Sequence, residues 1–285
     1  MTRTLVSIFL LLLATPALAQ PETVYFTSRD GKTNIVGYLF KPPGAGVHPA
    51  VVLLHGRAGP YSANSNAGCT IVAQTVTSPC NAATLSKRHA MWGQYWADRG
   101  YIALLPDSFG PRGKAHGFGR FTHGDVDRDA VNEKTVRPLD AEGALAYLRS
   151  RNDVEANRIF LQGWSNGGST ALNVMIRQGA HSGFRAALAF YPGCGSSALL
   201  DATISTSAPV AVFLAERDEE VSPVFCLRAA DRSRAAGTRI DVTLYPGATH
   251  DFDDPGPHRQ SVAGNRAAKA DAMAKVIAIV EAIGK

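Results

Sequence analysis

Only four cysteines occur in the 285 residues: Cys69, Cys80, Cys194 and Cys226. None stands in a C-x-x-C pair or beside clustered histidines, which removes structural zinc and dithiol redox chemistry from consideration. Charge is sparse as well, at 19% of residues with a net +5. The lysines and arginines are scattered, with no dense basic block interleaved with aromatics, and this argues against nucleic-acid binding. No repeat is visible and no proline- or glycine-rich linker divides the chain, so residues 20–285 read as one domain. Long apolar runs are missing too. The longest, Leu5–Ala14 (LVSIFLLLLA), is too short to span a bilayer comfortably.

That run has another meaning. It follows Arg3 and precedes Thr15, Pro16 and the small-residue pattern Ala17-Leu18-Ala19. This is the layout of a secretory signal peptide over residues 1–19, cleaved after Ala19. The expectation is an exported protein, periplasmic or secreted, with no stable membrane anchor. Export in turn makes an even number of cysteines a disulfide framework. Four cysteines allow three pairings. The local one, Cys69 with Cys80, closes a small Ser/Asn-rich loop and leaves Cys194 with Cys226.

What the chain has in quantity is alternation. Hydrophobic residues make up 45%, enough for a sizeable core. Strands are predicted at 23–28, 34–40, 50–54, 101–105, 158–162, 186–190, 210–215 and 240–245. Several are short continuous apolar runs, as in a strand buried on both faces. Helices are predicted at 89–99, 139–149, 168–177, 223–235 and 262–283. Strand–helix alternation of this kind means an α/β fold, a mostly parallel sheet with helices on both faces. Two segments break the rhythm: an insertion at 57–87, and a glycine-, histidine- and charge-rich stretch at 106–136. Both follow strands, so both belong at the C-terminal edge of the sheet, where open α/β folds place their sites.

One short stretch carries the chemistry. Gly163-Trp164-Ser165-Asn166-Gly167 lies between a predicted strand and an amphipathic helix, the context that G-x-S-x-G requires. A serine there projects above the sheet with its backbone at a helix N-terminus. A serine nucleophile also needs a base and a carboxylate that orients the base, in the chain order Ser, acid, His. Of the three histidines after Ser165, His250 follows the last strand; His181 leads into a strand, and His258 lies too far towards the final helix. For the acid, Asp218 occupies the loop after strand 210–215, whereas Glu219 and Glu220 are expected to be solvated or to cap the next helix. The oxyanion hole needs two N–H donors, for which Asn166 and Arg57 are placed. His55, at a strand end before the serine, is expected to hold that loop.

These residues sit in HGRAG (55–59), DSFGPRG (107–113), RPLDAEGALAYL (137–148), GWSNGG (163–168), LAERDEEVSP (214–223) and YPGATHDFD (245–253). The chain resembles the dienelactone hydrolase family of the α/β-hydrolase superfamily over essentially its whole mature length. The resemblance implies a sheet of about eight strands and a Ser165–Asp218–His250 triad. It departs from the family's namesakes in one respect: they carry cysteine at the nucleophile position, where this chain has Ser165. Cys194 and Cys226 would then follow neighbouring strands, close enough for a bridge near the site. Arg112, following the fourth strand, reads either as a contact to a substrate carboxylate or carbonyl or as a loop arginine paired with a nearby aspartate. Trp164, beside the nucleophile, is a second candidate substrate contact.

The expected activity is cleavage of a small-molecule or polymeric carboxylic ester through an acyl-enzyme, with no metal or organic cofactor. The alternatives are a serine peptidase of the prolyl-oligopeptidase type or a non-catalytic hydrolase-fold binding protein. The ester itself and the oligomeric state are open.

Overall fold

The computed structural model describes residues 20–66 and 68–284. The expected signal peptide over 1–19 lies outside the described residues.

Eight strands form one sheet: β1 (Glu22–Thr27), β2 (Asn34–Phe40), β3 (His48–Leu54), β4 (Ile102–Asp107), β5 (Val154–Trp164), β6 (Ala187–Phe190), β7 (Val210–Ala215) and β8 (Ile240–Tyr245). Their order is β1-β2-β4-β3-β5-β6-β7-β8. The first two join antiparallel at one edge, and all later pairs are parallel. This is the mostly parallel sheet expected from the alternation, in the α/β-hydrolase architecture that the resemblance implies. The apolar run AVVLL explains the centre. β3 lies between β4 and β5, so residues Ala50–Leu54 meet protein on both faces and are fully buried.

Helices cover both faces. On one face α2 (Lys87–Ala97) and the long α7 (Ala263–Ile283) pack Trp92, Trp96, Val276 and Val280 against Trp164, Phe190 and Phe213. On the other, α3 (Arg137–Arg149) and α4 (Asn166–Gln178) bring Leu145, Leu148, Leu172 and Met175 onto Leu54, Leu104 and Leu161. α5 (Pro223–Ala235) starts with proline at its first turn, where the missing N–H is not needed.

The predicted elements differ from the observed ones mainly at their ends. β5 begins at Val154 because His48 of β3 pairs with that residue, an extension no apolar run marks. β4 continues to Asp107, a buried carboxylate that accepts from the N–H groups of Phe109 (2.9 Å) and Gly110 (2.8 Å) and from the Tyr61 hydroxyl (2.8 Å). The two long excursions are built segments. The first holds α1 (Ala63–Asn66) and a Cys69–Cys80 bridge; the second holds 3₁₀ turns at Gly110–Arg112 and Val126–Val131. A short α6 (Pro257–Gln260) precedes α7.

Candidate active site

The C-terminal ends of β3, β5, β7 and β8 deliver the predicted residues to one edge. At the end of β5 the chain turns straight into α4, and Ser165 sits in the turn with φ 50° and ψ −118°. A non-glycine residue there stores strain and persists only where its surroundings enforce it. They do so closely. A Cβ at Gly163 would collide with the Gly167 backbone, and one at Gly167 with the carbonyls of Leu54 and His55. The Ser165 N–H is anchored to the Phe190 carbonyl at 2.9 Å.

His250 lies in the loop after β8 and is 1% exposed. Its Nδ1 meets Asp218 Oδ2 at 2.8 Å and Oδ1 at 3.0 Å. Asp218 is held in turn by the N–H groups of Glu220 and Val221, both at 2.9 Å. Burial opposes the charged imidazolium. The Asp218 hydrogen bond and the negative charges of Asp251, Asp218 and Glu220 outweigh it, and the histidine is raised above its usual 6.5.

Arg57 and Asn166 occupy the loop after β3 and the first position of α4. Among the described residues neither backbone N–H has a hydrogen-bond acceptor. Asn166 begins a helix, so its amide is free of the helical ladder by construction. His55 is fully buried. Its Nδ1 meets the Gly56 carbonyl at 2.8 Å and its Nε2 accepts from the Ser108 N–H at 3.3 Å, an arrangement that ties the loop after β3 to the loop after β4. Burial holds this imidazole well below its usual pKa, so it is neutral.

Of the two readings of Arg112, the loop arginine paired with a nearby aspartate is the one the structure shows, in place of a substrate contact: it pairs with Asp140 at 2.8 Å, bonds the Ser108 carbonyl and approaches Asp30 at 3.3 Å. Two carboxylates thus claim the guanidinium. Two other expectations need correction. Trp164 points the other way, into the core. It is fully buried and its indole N–H donates to Asp253 at 2.8 Å, since side chains alternate along β5 and Ser165 takes the outer side. Glu219 and Glu220 are not merely solvated. Glu219 accepts the His250 backbone N–H at 2.9 Å. Glu220 is doubly bonded to the Arg57 guanidinium, paired with Arg120 at 2.8 Å, and lies 3.7 Å from His250 Nε2.

Several supporting residues escaped the sequence reading. Arg137, fully buried at the start of α3, bonds the Asn166 side chain and the His55 carbonyl (2.7 Å), joining the two loops that carry the N–H donors. Burial lowers its guanidinium to about 10. Asp253 accepts from Trp92 (2.6 Å), Trp164 and Tyr191, while Arg88 bonds Tyr191 and Asp251 on either side of His250. Arg137, Asp251 and Asp253 had one signal, inclusion in the motifs RPLDAEGALAYL and YPGATHDFD; Arg88, Trp92 and Tyr191 lie in neither. Oxygen and nitrogen atoms of Glu220, His250 and Asp251 lie within 4.8 Å of one another. The Glu220 and Asp251 oxygens are taken up by Arg57 and Arg88, and these guanidinium groups oppose a cation.

The profile of the dienelactone hydrolase family matches residues 84–284. The chain belongs to the dienelactone hydrolase family. It is therefore a hydrolase that cleaves esters. Among solved structures it is similar to a putative dienelactone hydrolase from Klebsiella pneumoniae, at 17% identity and a TM-score of 0.66 over 91% of this chain and 99% of that one. A dienelactone hydrolase-like promiscuous phosphotriesterase from metagenomic libraries matches at 18% and 0.67, over 92% and 97%. Esterase 2 of Thermogutta terrifontis, with propionate bound, matches at 18% and 0.61, over 94% and 96%. At these identities the likeness is one of fold.

Proposed function

We propose that this family member is an exported serine esterase with Ser165 as nucleophile, His250 as base and Asp218 as its orienting acid. In this reading the mature chain, 20–285, is one catalytic domain. The observation that carries it is the His250–Asp218 pair: a 2.8 Å bond to Nδ1 leaves Nε2 as the ring's proton acceptor. The strained turn at Ser165 supports the nucleophile, because strain of this kind concentrates where a side chain must be presented.

Ser165 Oγ attacks the ester carbonyl as His250 Nε2 takes its proton, and the amides of Arg57 and Asn166 receive the oxyanion. The imidazolium returns the proton to the departing alkoxide. Water then attacks the acyl-enzyme with His250 as base, releasing the acid and Ser165. The two disulfides support an oxidising compartment, and no described helix is long and apolar enough to cross a membrane.

A fluorophosphonate is expected to label Ser165, and Ser165→Ala to lower kcat for p-nitrophenyl acetate by at least about 10³-fold. Full activity in that variant would overturn the assignment.

A further inference from the structure

Ser165 and Asn166 share a small cavity with four charged side chains: Arg57, Glu220, Arg128 and Glu133. Arg57 and Glu220 bond each other. The second pair does not. Arg128 is 6% exposed and Glu133 3% exposed. They attract each other electrostatically, yet no ion-pair contact joins them. Arg128 Nη1 is fully buried and has no hydrogen-bond partner among the described residues. The guanidinium lies over the Phe118 ring, 5.7 Å from its centre.

A buried guanidinium N–H without an acceptor is costly and calls for a reason. The Arg128 and Glu133 side chains both line a cavity of about 10 Å³, room for one water-sized group, whose wall includes the proposed nucleophile. The charges of the lining cancel in pairs, and His123, which burial lowers below its usual pKa, adds a neutral imidazole. An anion entering would meet Glu133 and Glu220, and a cation would meet Arg57 and Arg128. A hydroxyl fits both, because its oxygen accepts from Arg128 while its hydrogen goes to Glu133.

On the esterase reading proposed above, we infer that Arg128 and Glu133 form a subsite for one neutral hydroxyl on the acyl chain, within about two carbons of the scissile carbonyl. The preferred substrates are then esters of short hydroxy acids. The acyl side is assigned because the cavity, with room for one water-sized group, is too small to pass a leaving alcohol.

The test compares phenyl lactate with phenyl propionate, which differ by one hydroxyl, each kcat/KM divided by the ester's rate with hydroxide. The wild-type enzyme is expected to favour lactate at least about tenfold, one hydrogen bond's worth of discrimination. Arg128→Leu and the near-isosteric Glu133→Gln are each expected to lower that ratio about tenfold, and should Arg128→Leu fail to fold, Glu133→Gln carries the comparison. A wild-type ratio near one, or a ratio that Glu133→Gln leaves in place, overturns the subsite while the esterase reading stands. So does a preference for phenyl hydrogen succinate that Arg128→Leu abolishes, since that outcome makes Arg128 an anion site. If neither ester is turned over and Ser165 resists the fluorophosphonate, both readings fall.

Discussion

His250 is bracketed by carboxylates. Asp218 holds Nδ1, Glu220 stands 3.7 Å from Nε2, Glu219 accepts its N–H, and Asp251 follows it in the chain. Cations answer these carboxylates: Arg57 and Arg120 on Glu220, Arg88 on Asp251 and Arg259 on Glu219 and Asp251; the Tyr191 ring lies 4.7 Å from the imidazole. The balance raises the imidazole above 6.5. A base works only when neutral, so activity falls as pH drops through that raised value. The acid limb of the kcat/KM–pH profile is therefore expected above pH 6.5, and Glu220→Gln moves it to lower pH by removing one negative neighbour. An unmoved limb would separate Glu220 from the base. At this scale the contact between Asp218 and His250 was readable from chain order and strand ends. Glu220 was not, because it owes its environment to Arg57 across 163 positions, and Arg128 and Glu133 were not, because only the fold brings them beside Ser165.

At the scale of elements, the turn between β5 and α4 is the feature most tightly specified by local chemistry. Its glycines are required by contact with backbone, which cannot move aside as a side chain can. Gly167→Ala drives a methyl into the Leu54 carbonyl of β3 and is expected to cost about 3 kcal/mol or more. Chemical denaturation should show a lower midpoint, with ester hydrolysis lost in any protein that still folds. Gly31→Ala, in an open surface turn with no atom near the new methyl but φ +75°, should cost about 1 kcal/mol. The glycine spelling, the β-branched runs and the proline that opens α5 made these elements legible. The extra length of β4 and β5 was not, since strand ends follow from a partner's hydrogen bonds.

The whole molecule is braced around the sheet edge that carries the proposed triad. Cys69–Cys80 closes 11 positions of the excursion after β3, and Cys194–Cys226 closes 32, tying the loop after β6 to α5. Each contributes about 3 kcal/mol by restricting the unfolded chain. Dithiothreitol is expected to lower Tm by about 10 °C, with the Cys194→Ala/Cys226→Ala variant showing part of that loss. An unchanged Tm would deny the bridges a stabilising role. Acid acts through other groups. Asp30, despite burial, is held at about 2 by hydrogen bonds from Thr33 and Lys32 and by Arg112, and Asp251 is lowered by Arg88 against its burial. Carboxylates lowered on folding add stability above their unfolded value of 3.8 and lose it as pH falls through the folded one. Cooperative unfolding, followed by circular dichroism, is thus expected between about pH 4 and 2.

The division between sequence and tertiary structure follows the range of the forces involved. Periodicity of apolar residues, glycines at a forced turn and the order serine, acid, histidine act over a few residues or along the chain. These determined the eight-stranded sheet, the family and the proposed triad before any packing was known. The fates of Arg112, Trp164 and Glu220 depended on which charged or polar group came nearest after folding. So did the Arg128–Glu133 pair beside Ser165. A buried charge is stabilised by whatever partner the fold brings within about 3–4 Å, and that distance exists only once strands far apart in the chain lie side by side.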